Sequence, residues 1–540
     1  MMLDKMFDAE VNPYASRRAV IYGRGGCVAT SQPLAAQAGL AVLRRGGNAI
    51  DAAVATAACL TVVEPTSNGI GSDAFALVWT QGKLHGLNSS GGSPASISIE
   101  AVKKLGHEKM PAYGWLPVTV PGAPAAWAEL VRKFGRLPLA DVLAPAIEYA
   151  HNGYPVSPTL GYFWGRAFEN YKKLKGEEFA EWFATFAPQG RPPKPGEMWK
   201  SPAHAQTLEE IVQSGAESFY RGGLAERIAG AAAKAGGFLT ADDLAAFSPE
   251  WVEPISADYR GYSVWEIPPN GQGIVALAAL NILKNYDFPV RDCANTAHLQ
   301  IEALKLAFTA GKQIVTDPRH VKQNHLTWLL SQAFADEARA KISANAIDPQ
   351  PFELPKSGTV YLCTADGEGN MVSYIQSNYM GFGSGIVVPD TGIALQNRGH
   401  DFSLDPAHVN RLEGGKRTYH TIIPAFLTKG GTPVGPFGVM GGYMQPQGHV
   451  QVVMNTVDFA LNPQMALDAP RFQWMEGRTV EVEHSFPPHI AAQLARQGHD
   501  VKVAAHSGGF GRGQIIWRDP ESGVLAAGTE SRTDGAAAAF

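Results

Sequence analysis

Gly358-Thr359-Val360-Tyr361-Leu362-Cys363-Thr364-Ala365 is a β-rich run that starts abruptly. Ahead of it, Ala340 to Gly358 lacks a periodic apolar pattern and holds Pro349, Pro351 and Pro355, which predicts an exposed loop. Behind it, Asp366-Gly367-Glu368-Gly369-Asn370 turns the chain and Met371 to Ser377 returns, which predicts a hairpin headed by Thr359. Thr is a common strand former, so alone this is an ordinary strand start. A cut between Gly358 and Thr359 would change its meaning. Thr359 would then be an N-terminus whose hydroxyl is a nucleophile with its own base attached. A free α-amine titrates near about 7.7–8.0 and accepts the hydroxyl proton without a histidine. Attack on an amide gives an acyl-enzyme and an oxyanion that needs fixed donors. Gly441-Gly442, after the apolar run Val434 to Met440, is either a source of exposed N–H groups or a plain turn.

Upstream, residues 29–60 read as helical, with Gly46-Gly47-Asn48 stopping one helix and opening another. The second, Ala49 to Ala58, is rich in small residues on every face and so suits close packing on a sheet. Gly69 to Asp73 reads as a turn, Ala74 to Trp79 as a strand, Gly82-Lys83 as a turn and Leu84 to Asn88 as its hairpin partner. Residues 120–350 read as helical stretches broken by Pro and Gly, for example Ala140–Asn152 and Thr296–Ile314.

Composition narrows the function. The 540 residues are 45% hydrophobic and 18% charged, enough for a large core. Net charge is −5, so no basic footprint for nucleic acid is present. No apolar run is long enough to span a membrane, and Met1 to Glu10 carry acids without the apolar core of a secretory signal. Cys27, Cys59, Cys293 and Cys363 lack paired or metal-like spacing and fit buried side chains in a reducing cytoplasm. Phosphate-loop, zinc-protease and serine-hydrolase motifs are absent, and Gly23 to Gly26 falls short of a dinucleotide fingerprint.

A set of segments in order gives the sharper reading. They are Gly46 to Ala55, Glu64-Pro65, Gly69 to Phe75, Val120-Pro121-Gly122, Pro268 to Gly273, Gly358-Thr359, Gly381 to Gly385, Gln396-Asn397-Arg398, Asp401-Phe402-Ser403 and Asp468 to Arg471. In these the chain resembles the γ-glutamyltranspeptidase family of N-terminal-nucleophile hydrolases over nearly its whole length. The resemblance implies an α+β fold, a four-layered αββα sandwich. It implies self-cleavage into a large segment 1–358 and a small segment 359–540 that stay together as one unit, a heterodimer compatible with further dimerisation. Thr359 would be the nucleophile and Ser377 the hydroxyl beside its amine. Gly441 and Gly442 would donate to the oxyanion. Asn378, Asn397, Arg398, Asp401, His420 and Thr421 would contact the substrate. No metal or cofactor is implied.

Departures from the family pattern bear on the substrate. Leu87 to Pro94, where glutamyl-specific members carry an Arg for the substrate carboxylate, has none. Val360 replaces a second Thr, Arg398 stands for a Glu or Gln, and His420-Thr421 for Ser-Ser. An Arg fork is the usual reader of a carboxylate, so a cation relocated to Arg398 or His420 suits a smaller anionic amide. The expectation is an amidohydrolase nearest to those of the family that cleave oxamate to oxalate and ammonia, a step of purine breakdown. The alternative is a γ-glutamyl hydrolase or transferase acting on glutathione-like compounds. The intact Gly358-Thr359, Ser377 and Gly441-Gly442 set speaks against a non-catalytic binding module.

Overall fold

The computed structural model describes residues 14, 18–321, 323–349 and 358–540. Met1 to Glu10 and the end of the proline-rich loop before Gly358 lie outside the described residues. Two seven-stranded sheets face each other, and every strand pair within them is antiparallel. The first runs Ile21–Gly23, Leu525–Thr529, Arg512–Arg518, Thr432–Met440, Ala425–Lys429, Tyr262–Glu266, Ile255–Tyr259. The second runs Ala536–Ala539, Gly26–Thr30, Gly358–Asp366, Met371–Tyr379, Asp73–Thr80, Lys83–Ser89, Glu250–Val252.

Alternation along the strands builds the layers. On the Gly358–Asp366 strand, Tyr361, Cys363 and Ala365 face the opposite sheet and meet Phe75, Ile375, Phe426 and Ile516. Val360 and Leu362 face outward, against the helix Ala49–Val63. Every residue of that helix is buried, which its small side chains permit. Asn48 and Asp51 form a reciprocal cap at its start, and Asp366 accepts from the Ala49 N–H at 3.0 Å, which joins the helix to the end of the Thr359 strand. On the other flank, Gly273–Leu283, Ala294–Lys312 and Met444–Val457 cover the first sheet. The result is helix, sheet, sheet, helix: the α+β, four-layered αββα arrangement.

Both sheets mix strands from either side of residue 358. Tyr262–Glu266 pairs with Ala425–Lys429, and Gly26–Thr30 pairs with Gly358–Asp366. A cut at that point would therefore leave two segments that share both sheets.

Three readings need correction. Residues 29 and 30 belong to a strand, not to the following helix, because Gly26–Thr30 lies between the Thr359 strand and Ala536–Ala539 and pairs with both. Among the described residues the 120–350 region contains five strands: the two-residue pair Tyr154–Pro155 and Met198–Trp199, and Glu250–Val252, Ile255–Tyr259 and Tyr262–Glu266, whose short half-buried alternation is easily lost among the helices. Ala340 still belongs to the helix Gln332–Lys341, so the loop starts at Ile342. Cys27, Cys59 and Cys363 are buried thiols, whereas Cys293 is half-buried. No helix among the described residues is long and apolar enough to cross a membrane.

Candidate active site

Thr359 lies at an irregularity in its hairpin. Gly358 pairs with Tyr379 and Val360 with Gln376, so Ser377 and Asn378 together oppose the one residue Thr359. Such a bulge re-aims side chains locally. The Thr359 side chain is fully buried and lies on the inner face of its sheet, like Tyr361 two residues on. Its Oγ1 is 3.0 Å from Ser377 Oγ. Ser377 Oγ donates to the Gly358 carbonyl at 2.8 Å and accepts from the Tyr379 N–H at 2.8 Å. A serine has one hydroxyl proton, so with that proton on Gly358 the Thr359 hydroxyl is the donor toward Ser377.

The facing sheet supplies the second wall. Cys363 Sγ meets the Pro436 carbonyl, and Tyr361 packs over Gly438. Two residues further along that strand, Met440 packs in the same inter-sheet core as Tyr361, and the Gly441-Gly442 corner follows it. Strand pairing stops at Met440 opposite Arg512, so the N–H groups of Gly441 and Gly442 lie beyond the ladder. Both have positive φ, 137° and 61°, a conformation that glycine adopts without strain. Gln272 braces this corner by donating to the Gly442 carbonyl at 2.9 Å and the Thr421 carbonyl at 2.6 Å.

Beside it is a buried polar cluster. Arg398 is 1% exposed, donates from Nη1 to Thr421 Oγ1 at 2.6 Å, and stacks 4.2 Å from the centre of the Tyr379 ring. Its Nε and Nη2 find no acceptor among the described residues. An unpartnered guanidinium edge of this kind is costly to bury. His420 Nε2 is 3.0 Å from Asp73 Oδ2. Burial pushes the Asp73 carboxyl up to about 7, with Arg398 opposing, and holds His420 well below the usual histidine range, with Arg398 adding to that effect. Asp401 Oδ1 accepts from the hydroxyls of Tyr379 at 2.9 Å and Tyr443 at 3.0 Å.

Thr359, Ser377, Arg398, Asp401, His420 and Thr421 thus sit within connected networks at one end of the sandwich. Asn378 and Asn397 do not join them. Asn378 follows Ser377 and points to the opposite face of its strand, where it accepts from Ser72 Oγ at 2.8 Å. Asn397 holds the Met380 N–H at 3.1 Å and the Ala112 carbonyl at 2.7 Å. Both side chains are engaged by the surrounding scaffold. Sequence reasoning passed over Asp73, Gln272, Tyr379, Tyr443 and Lys312. Asp73 and Gln272 lie within segments already quoted, and their polar character inside otherwise apolar or Gly-rich runs was the available signal.

Among the described residues, one cluster elsewhere has metal-ligand chemistry: His298, Glu302 and His499. There His298 Nδ1 and His499 Nε2 bond each other at 2.8 Å, His298 Nε2 meets the Ser343 carbonyl, and Lys305 pairs with Glu302 at 2.8 Å. That ammonium already balances the carboxylate, so the set reads as a buried polar network.

Comparison with known proteins agrees with this architecture. The Gamma-glutamyltranspeptidase family model matches residues 35–540. The chain is 39% identical over 530 residues to the glutathione hydrolase-like YwrD proenzyme of Bacillus subtilis, covering 96% of this chain and 99% of that one. It is 36% identical over 530 residues to the oxamate amidohydrolase proenzyme of Klebsiella pneumoniae, covering 95% and 98%. Among solved structures, the cephalosporin acylase from Bacillus halodurans superposes with a TM-score of 0.95 at 62% identity, covering 99% of each chain.

Proposed function

The chain belongs to the gamma-glutamyltranspeptidase family of hydrolases that act on amide C–N bonds, and from that premise we propose a self-processing amidohydrolase with Thr359 as nucleophile. The observation that carries this reading is the double contact of Ser377, which touches the Thr359 hydroxyl and donates to the Gly358 carbonyl.

In maturation, Thr359 Oγ1 attacks the Gly358 carbonyl carbon. Its proton passes to Ser377 Oγ while the Ser377 proton moves to the carbonyl oxygen. The hydroxyl proton of the tetrahedral intermediate then passes to the Thr359 nitrogen as the C–N bond breaks, leaving an ester on Oγ1 and a free α-amine on Thr359. Water hydrolyses the ester and yields segments 1–358 and 359–540. In turnover, the freed amine takes the hydroxyl proton and Oγ1 attacks the substrate carbonyl. The Gly441 and Gly442 N–H groups stabilise the oxyanion; one such donor contributes about 2.7–4 kcal/mol. The leaving amine departs with the proton held by the α-ammonium, and water resolves the acyl-enzyme.

For the substrate, the buried Arg398 edge supports an acyl group that ends in a carboxylate. We assign oxamate as the first candidate, cleaved to oxalate and ammonia in a cytoplasmic setting. A second reading, the side-chain amide of a cephalosporin, is favoured by the 62% identity to a structure described as a cephalosporin acylase. Glutathione-like γ-glutamyl compounds are the third arm. The test is one panel: purified enzyme with oxamate, a cephalosporin bearing a carboxylated acyl side chain, and a γ-glutamyl anilide. Ammonia from oxamate with no aniline release supports the first reading. Aniline release with no ammonia rejects it, and release of the cephalosporin nucleus alone selects the second.

A further inference from the structure

This inference rests on Arg398 as the holder of a substrate carboxylate. Behind Arg398 runs a chain of contacts that the reaction itself does not use. Tyr379, on which Arg398 stacks, donates to Asp401 Oδ1, and Tyr443 donates to the same oxygen. Lys312, the last residue of the Ala294–Lys312 helix, then donates from Nζ to the Tyr443 hydroxyl. Its ammonium also lies 4.0 Å from the ring centres of both Tyr419 and Tyr443, which stack on each other with centroids 5.8 Å apart. A cation over two phenol faces, bonded to one of them, is held firmly.

Charge arithmetic follows. Two cations act on Asp401, Arg398 and Lys312, while Arg417, near Asp73, is paired with Glu250. The pocket contains one carboxylate, Asp401, that already takes two phenol protons, and a second, Asp73, bonded to His420. Lys312 faces Asp401 through Tyr443, and burial lowers its pKa only to about 8, so it is mostly charged at neutral pH. The charge of Asp401 is therefore balanced from inside the protein, although its Oδ2 has no hydrogen-bond partner among the described residues. Arg398 keeps its Nε and Nη2 edge for an anion.

We propose that Lys312 is a specificity-determining residue, a built-in ammonium that balances the charge of Asp401 through Tyr443 so that the acyl group entering the pocket needs a carboxylate but no amino group of its own. An acyl group carrying an ammonium would bring its charge beside Arg398 and Lys312, with the Asp401 charge already matched by Lys312, and like charges at close range reject a ligand. Lys312 acts through Tyr443 and Asp401 and contacts no reacting atom.

The experiment compares the matured wild-type enzyme with Lys312→Met and Lys312→Arg. Calorimetry reads the Kd of oxalate, which has no ammonium, and of L-glutamate, which has one. The wild type is expected to favour oxalate, Lys312→Met to lower the oxalate-to-glutamate preference tenfold or more, and Lys312→Arg to retain it. Melting curves report folding separately. In turnover, Lys312→Met should raise KM for the carboxylated amide while kcat stays within about twofold, a split that general loosening of the fold would not give. Equal weakening of both ligands, or no change in their ratio, overturns the proposal. The control is Arg398→Gln. If that variant leaves oxalate binding unchanged, the carboxylate reading of the site fails; if it abolishes binding while Lys312→Met leaves the ratio intact, only the role of Lys312 fails.

Discussion

Ser377 Oγ lies 3.0 Å from Thr359 Oγ1 and 2.8 Å from the Gly358 carbonyl oxygen, so one hydroxyl bridges a nucleophile and the bond it would open. Without that bridge, the proton of Thr359 has no assigned route and the carbonyl loses its donor. Ser377→Ala is expected to slow self-cleavage by about 10²–10³-fold, the scale of losing one preorganised donor. Ser377→Thr keeps the hydroxyl and should mature at close to the normal rate. Intact-mass measurements at timed intervals after synthesis check both. Normal maturation of the Ala variant would remove Ser377 from the relay.

Thr359→Ala should give one uncut chain without hydrolase activity. The wild type should resolve into two segments meeting at residues 358 and 359. Because both sheets contain strands from each side of that point, the two should co-purify and melt in one transition. A Thr359→Ala protein that still hydrolyses its amide would require another nucleophile. The route uses no metal, so a chelator should leave the wild-type rate unchanged.

Arg398 offers the clearest test of substrate class. With Nη1 on Thr421 and the remaining edge unpartnered, Arg398→Gln removes the charge while keeping a donor. Truncating a buried charged partner costs about 2–5 kcal/mol, so kcat/KM on a carboxylated amide should fall by roughly 30-fold or more, mainly through KM. Arg398→Lys should rescue little, because an ammonium cannot reproduce the planar fork or the stack on Tyr379. A neutral amide of similar size should lose far less. Equal losses on both would identify Arg398 as a structural prop.

Much of this was legible in the sequence. The hairpin after Gly358 and the helix pair around Gly46-Gly47-Asn48 follow from period and turn chemistry, which are local signals. The hairpin Ile255–Tyr259 and Tyr262–Glu266 was not, because it is held in its sheet by the pairing of Tyr262–Glu266 with Ala425–Lys429, more than 150 residues away. The same limit applies to the site. Arg398 and His420 stood out as unusual residues in familiar segments. The link from Lys312 to Asp401 through Tyr443 spans three distant positions that only folding brings together. Asn378 lies one step of strand alternation from Ser377 and bonds Ser72, which proximity in sequence does not reveal.

Asp73 gives a pH dependence whose sign can be worked out. Its carboxyl, pushed up to about 7 by burial, faces His420, Arg398 and Arg417. Below that pH it is mostly neutral and leaves Arg398 to the substrate. Above it, Asp73 gains a negative charge, attracts Arg398 and repels an anionic acyl group, so KM for a carboxylated amide should rise with pH through about 7. Lys312, with a pKa near 8, loses its charge as pH rises further and pushes KM the same way. The Thr359 amine works in the opposite sense on kcat, since it must be unprotonated to act as base and titrates near about 7.7–8.0. Rising kcat with rising KM predicts a bell-shaped kcat/KM. Asp73→Asn keeps a hydrogen-bonding side chain beside His420 without the titrating charge. It should flatten the KM limb near pH 7 and leave the kcat limb in place. A KM profile that keeps its rise near pH 7 in the Asn variant would assign that limb to another group.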